Sequence, residues 1–223
     1  MSSELGSPGS RRPSHNFLPE MARFAPPLGV QRLYEFGLYS SYHYAAATNM
    51  ANLAQSQLFT YTNGGTGVAG FATASVSETN MYVGSQLPGG ESYECAGVAV
   101  EVLGGTNAAI LMGDLRTIMR LGVVLWQFTN TYLYIAPIPM VGAAGGIYGF
   151  SADSGTPVTV GNNGNGNNYW IYNNLVVVIP ALQQFTLVIQ WGNAGQAGAM
   201  ALTAAVDIRI TLFNNARSAV AAA

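Results

Sequence analysis

Three stretches of the chain alternate apolar and polar residues at every second position. Phe185, Leu187, Ile189 and Trp191 stand against Thr186 and Gln190. Val206, Ile208, Ile210 and Leu212 stand against Asp207, Arg209 and Thr211, and Val98, Val100 and Val102 against Ala99 and Glu101. A period of two puts successive side chains on opposite faces of a strand, so each stretch predicts a strand with one face in a core. A slip of one residue would bury a charge or an amide, which specifies register strongly. Segments 68–74, 79–83, 92–103, 123–128, 131–137, 170–179, 184–191 and 203–213 together give eight predicted strands, punctuated by Pro88-Gly89-Gly90 and Gly104-Gly105. Eight short strands predict an all-β, two-sheet sandwich.

Other segments read differently. In 30–57, Tyr34, Phe36, Leu38, Tyr42 and Tyr44 nearly alternate with smaller or polar residues, whereas 45–57 is rich in helix formers, so the expectation is a strand followed by a short helix. A second helix is expected from Asn107 as its cap, through Leu111, Leu115 and Ile118, to Arg120 and a terminating Gly122, with a β segment at 109–112 as the alternative. Between Gly155 and Tyr169, the run from Gly161 to Asn168 contains only Gly and Asn, residues that tolerate positive φ, and predicts a turn-rich loop. It has no carboxylate to serve calcium. Residues 1–28 hold five prolines with Arg11, Arg12 and Arg23, a mixture that cannot build a core and reads as an extended arm ending at Pro26 and Pro27.

Charge changes the picture most. Only 8% of residues are charged, against about 25% in ordinary soluble domains. From Ser154 to Val206 there is no Asp, Glu, Lys, Arg or His. A monomer so poor in ions exposes wide neutral surface, which associates unless a partner covers it. Neutral amides and hydroxyls also enter contacts at lower desolvation cost than ions. All eight basic residues are arginine; a GC-rich coding genome explains this, and arginine's planar fork also suits interfaces. A net charge of −2 argues against a protein that coats nucleic acid. Residues 1–12 lack the apolar run of a secretory signal, so assembly is expected in the cytoplasm. Pro137, Pro139 and the glycines at 142, 145, 146 and 149 break up the uncharged stretch 121–150, which is not expected to span a membrane.

Catalytic chemistry finds little support. With His15 in the arm, a Ser-His-Asp or Cys-His arrangement would have to rest on His43, which sits among tyrosines and reads as a hydrogen-bonded packing residue. The segment 149–155 has the wrong glycine spacing for a nucleophile elbow, and no lysine exists to complete a phosphate loop at 104–107. Glu91, Glu94, Glu101, Asp114 and Asp207 read as surface or interface charge, with Glu94 and Glu101 on opposite strand faces by parity. Cys95 reads as a buried thiol and, as the one cysteine, excludes an internal disulfide. No cofactor, metal or small-molecule substrate is expected.

The eight strands, the helix between the third and fourth, the long late loop and the proline-rich arm resemble the single jelly-roll coat proteins of icosahedral viruses. The stretch TNMYVGSQLPGGESYECAGVAVEV, residues 79–102, also looks like coat proteins of tailless, membrane-containing bacteriophages. The resemblance implies an eight-stranded antiparallel jelly-roll sandwich over 67–214 with an N-terminal arm (1–28), a strand/helix segment packing on the barrel (29–66) and an Ala-rich tail (215–223). It implies a capsid subunit, found in virions assembled in the host cytoplasm, whose partners are copies of itself and related capsid proteins. Arg11, Arg12, Arg23, Pro26 and Pro27 would tie neighbours together, or touch an underlying membrane or the packaged genome. The alternative is a carbohydrate- or receptor-binding jelly-roll module with Tyr169, Trp170 and Tyr172 as its aromatic platform.

Overall fold

The computed structural model describes residues 31–35, 37–50, 55–105, 110–128, 131–141, 147–151, 158–162, 170–171, 177–192 and 201–219. The strands, in chain order, are β1 (Gln31–Glu35), β2 (Leu38–Tyr44), β3 (Gln55–Leu58), β4 (Thr66–Val68), β5 (Phe71–Thr73), β6 (Glu91–Gly104) and β7 (Ile110–Leu111), leading into helix α1 (Met112–Leu121). Then come β8 (Gly122–Phe128), β9 (Thr131–Pro137), β10 (Ile147–Ser151), β11 (Val158–Asn162), β12 (Trp170–Ile171), β13 (Val177–Ile179), β14 (Phe185–Trp191) and β15 (Val206–Ala219). The chain is mostly β with antiparallel sheets.

Two sheets carry the fold. In the first, β15 lies between β6 on one side and β1 and β2, end to end, on the other; β12 and β13 extend the sheet beyond β6. The second runs β3-β14-β8-β9. A parallel pairing of β7 with β10, and an antiparallel one of β10 with β11, makes a small third sheet.

The alternating stretches face the core as their period requires. Val206, Ile208, Ile210 and Leu212 are fully buried, as are Val98, Val100 and Val102 from β6 and Phe185, Leu187 and Ile189 from β14. Trp126, Tyr44, Tyr93 and Phe59 fill the space between the sheets. Each such side chain contributes about 1.5–3 kcal/mol by leaving water. Two buried polar atoms find partners across the core: Trp191 Nε1 donates to Ser56 Oγ at 3.0 Å, and the Tyr93 hydroxyl to the Leu212 carbonyl at 2.8 Å.

One irregularity alters parity. Opposite the Phe213/Asn214 step the ladder jumps from Gly97 to Cys95, leaving Ala96 as the extra residue of a bulge. Tyr93 and Cys95 before it, and Val98, Val100 and Val102 after it, therefore all reach the same core. Glu94 and Glu101, expected on opposite faces, consequently share the outer face. Seven residues apart with the bulge between them, at about 3.3 Å for each extended residue, they stand roughly 20 Å from one another, too far for a catalytic pair.

Several expected elements are corrected. In 45–57 the end is strand β3 and not helix, with Ser56 and Leu58 buried and Gln55 and Gln57 exposed, so period-two burial overrides helix propensity there; Met50 has 3-10 geometry, and 51–54 lie outside the described residues. The segment 29–66 thus supplies β1 to β3 to both sheets. Segment 68–74 is split by a tight turn at Ala69 and Gly70, both at positive φ, into the β4-β5 hairpin. Segment 79–83 is irregular chain and bend with a single bridge, Thr79 to Ser40, and Thr79 and Asn80 spend their polar groups on the edge of β2. Part of the expected 155–169 loop is strand β11, and β15 runs to Ala219, beyond the expected end at 214. Helix α1 starts at Met112, with β7 directly before it, so the helical and the β alternatives each occupy part of that stretch; Gly122 ends it as expected.

Candidate interaction surfaces

The first sheet carries acidic, basic and histidine residues on its strands and the second carries none. His43 lies on β2, Glu91, Glu94 and Glu101 on β6, and Asp207, Arg209 and Arg217 on β15. Strands β3, β8, β9 and β14 contain no Asp, Glu, Lys, Arg or His. Their exposed positions are Gln55, Gln57, Gln190, Thr131, Tyr132 and Leu133. An open depression of about 440 Å³, lined by Tyr42, Gln55, Gln57, Thr60 and Ala69, lies beside β3.

On the charged sheet, two pairs of ionisable side chains meet. His43 Nδ1 donates to Asp207 Oδ1 at 2.6 Å, and the imidazole ring packs against Phe71. Arg209 lies 3.7 Å from Glu101, stacks over Tyr39, and donates through Nη2 to the Ser77 carbonyl at 2.6 Å and through Nε to Ser41 Oγ at 3.3 Å. These bonds hold the excursion 59–85 against the sheet.

That excursion finishes the free edge of β2 group by group. The Tyr39 N–H donates to Asn80 Oδ1 at 2.9 Å, and the Tyr39 carbonyl accepts from Thr79 Oγ1 at 3.2 Å and from the Asn80 N–H at 3.4 Å. The Ser41 N–H donates to the Tyr61 hydroxyl at 3.1 Å, which in turn donates to the Ser41 carbonyl. The His43 N–H donates to the Ala69 carbonyl at 2.8 Å, and the Gly37 carbonyl accepts from Asn80 Nδ2 at 2.7 Å. Burial pushes the Tyr61 hydroxyl above its ordinary pKa, against the lowering effect of its hydrogen bonds to Ser40 and Ser41. At the excursion's tip, burial works to raise the Glu78 pKa, but hydrogen bonds from Ser75 and Ser77 prevail and hold the carboxyl below its usual range.

Of the acids read as surface charge, Asp114 is buried. Its two oxygens accept the backbone N–H groups of Thr203 at 2.9 Å and Ala204 at 3.0 Å, tying α1 to the approach of β15. Sequence reasoning missed this because the partners are backbone groups 89 and 90 residues away. Cys95 is buried in β6, and desolvation pushes its pKa up to about 12. Among the described residues no group of three or more His, Cys, Asp or Glu could hold a metal, and no helix is long and apolar enough to cross a membrane.

Arg11, Arg12, Arg23, Pro26, Pro27, Tyr169 and Tyr172 lie outside the described residues. Trp170 is in β12, where its backbone pairs with Val98. No protein-family model matches the chain, and neither a curated protein nor a solved structure is significantly similar to it.

Proposed function

We propose that the chain is a single jelly roll and a structural subunit of an icosahedral viral capsid, working through its interfaces and not through catalysis. The observation that carries the reading is the segregation of charge: one whole sheet presents amides, hydroxyls and aromatic rings without a single ion. Such a face loses little on desolvation and gains about 25 cal/mol for each Å² of apolar surface covered, so modest contacts repeated over many copies close a stable shell.

Strand order supports the jelly-roll part. Taking β1 with β2, and β12 with β13, as single segments, the eight segments of the two main sheets fall in chain order into 1-8-3-6 and 2-7-4-5, the order produced by folding one long hairpin over itself. Arm exchange through 1–28, and its contact with a membrane or genome, belong to the same proposal. Negative-stain electron microscopy and light scattering of the purified chain, across concentration and salt, test it. Closed particles of uniform diameter are expected; a chain that stays monomeric under every assembly condition overturns the reading.

One observation favours a carbohydrate-binding module. The depression beside β3 is lined by amide, hydroxyl and tyrosine groups, the chemistry that binds sugars. Glycan-array binding abolished by Gln57→Ala or by Trp170→Ala would favour that module over the shell.

A further inference from the structure

The two flanks of the sandwich are finished differently. On one, the hydrogen-bonding groups of β2 at residues 37, 39, 41 and 43 are met by the excursion 59–85. On the other, β9 ends the second sheet, pairs only with β8, and among the described residues meets no partner on its far side. Tyr132 and Leu133 on this edge are 50% and 48% exposed.

We propose that β9 is an assembly edge that pairs antiparallel with β9 of a second copy across a two-fold axis. Two four-stranded sheets would then join into one continuous sheet. The inference deepens the shell reading and rests on it for the presence of a partner copy.

An unpaired strand edge presents a row of N–H and C=O groups that only water or another strand can satisfy. Proteins that must stay apart blunt such edges with charge, proline or a covering loop. This fold covers β2 in that way, whereas among the described residues nothing covers β9 along 131–136. The sequence Thr131-Tyr132-Leu133-Tyr134-Ile135 consists of residues that favour strands, and Pro137, lacking an N–H, marks where a ladder stops.

A second copy is the occupant that the charge pattern favours. Antiparallel pairing about a two-fold sets each residue against one from the same short strand, so a charge close to the axis would lie beside its own copy. Neither β9 nor the rest of its sheet contains one. Leu133 pairs in register with fully buried Trp126 and shares its core-facing parity, yet it stays half exposed. Apolar surface at this rim would be covered by the same contact.

The test uses the full chain with single cysteines at Thr131, Tyr132, Leu133 or Tyr134, alone and in pairwise mixtures, with Val76→Cys and Tyr82→Cys as exposed controls. Buried Cys95 stays silent in the background. Under mild oxidant, one position or one mixture is expected to form disulfide-linked dimers at least tenfold faster than the controls. Tyr132→Lys is expected to weaken dimerisation at least tenfold with an unchanged circular dichroism spectrum. Cross-linking no faster than the controls at every position, in chains that do form particles, overturns the edge pairing and leaves the shell reading standing. Cross-linked dimers that never proceed to particles support the pairing and overturn the shell.

Discussion

The carboxylate of Asp114 accepts the backbone N–H of Thr203 at 2.9 Å while its second oxygen accepts that of Ala204, so one acid in the first turn of α1 fixes the entry to β15. Asp114→Ala leaves two backbone donors without their partner. A loss of about 3 kcal/mol is expected, with Asp114→Asn losing about half as much because its carbonyl keeps one bond. Urea unfolding of the dissociated subunit measures both; equal stability of all three proteins would refute the staple.

Gly70 packs where no side chain fits. A Cβ built there would stand 2.1 Å from the His43 carbonyl oxygen, and its φ of +80° is one that L-residues rarely adopt. Gly70→Ala should displace the β4-β5 hairpin, break the bond from the His43 N–H to the Ala69 carbonyl, and cost more than about 1 kcal/mol. Amide exchange at His43 reads the loss directly.

Arg209 holds the excursion more through its bond to the Ser77 carbonyl than through Glu101, since a partly exposed pair at 3.7 Å is worth little. Arg209→Met should therefore cost about 1–2 kcal/mol, whereas Glu101→Gln should cost less than about 0.5 kcal/mol. Limited proteolysis of the first variant should cut within 59–85 faster than in the parent chain.

Alkaline pH should destabilise the fold. The Cys95 thiol is pushed up to about 12 by burial, and Tyr61 is raised by the same cause. Raised folded-state values contribute stability that is complete below the unfolded pKa and is lost as pH climbs through the folded one. For Cys95 that window runs from the ordinary thiol value of 9.0 to about 12. Glu78 acts in the opposite sense: its lowered pKa contributes above the unfolded value and is lost as acid protonates it. Thiol labelling at pH 8 should be negligible until denaturant is added.

Adding charge to the neutral sheet should spare folding and hinder association. Gln55 and Gln190 are exposed cross-strand partners, and Gln190→Lys should change subunit stability by less than about 0.5 kcal/mol. The concentration needed for particle formation should rise at least tenfold. Unchanged assembly would remove the neutral sheet from the contacts.

Much of the sandwich was legible because its central strands obey a simple period. Val206 to Leu212 and Phe185 to Trp191 declare both their faces and their register. What was not legible depends on partners far along the chain. Gln55 to Leu58 is too short for periodicity to outweigh a run of helix formers, and only Leu187 and Ile189 alongside make it a strand. The bulge at Ala96 cannot be read from β6 alone, so Glu94 seemed to face the wrong way. The segregation of ions between sheets was hidden for the same reason: strands that are neighbours in space, such as β3 and β14, are far apart in sequence. His43 was read as a hydrogen-bonded packing residue, and its contacts with Asp207 and Phe71 are of that kind. The Asp207 partner was not foreseeable from spacing.

The strand that binds the first sheet together, β15, comes later in the sequence than every strand it joins. A ribosome releases β1, β2 and β6 well before the residues that stitch them, so no early fragment can settle into the finished sandwich. The first sheet is therefore complete only once residues 206–219 have left the ribosome, because any shorter fragment lacks the strand that joins β1 and β2 to β6.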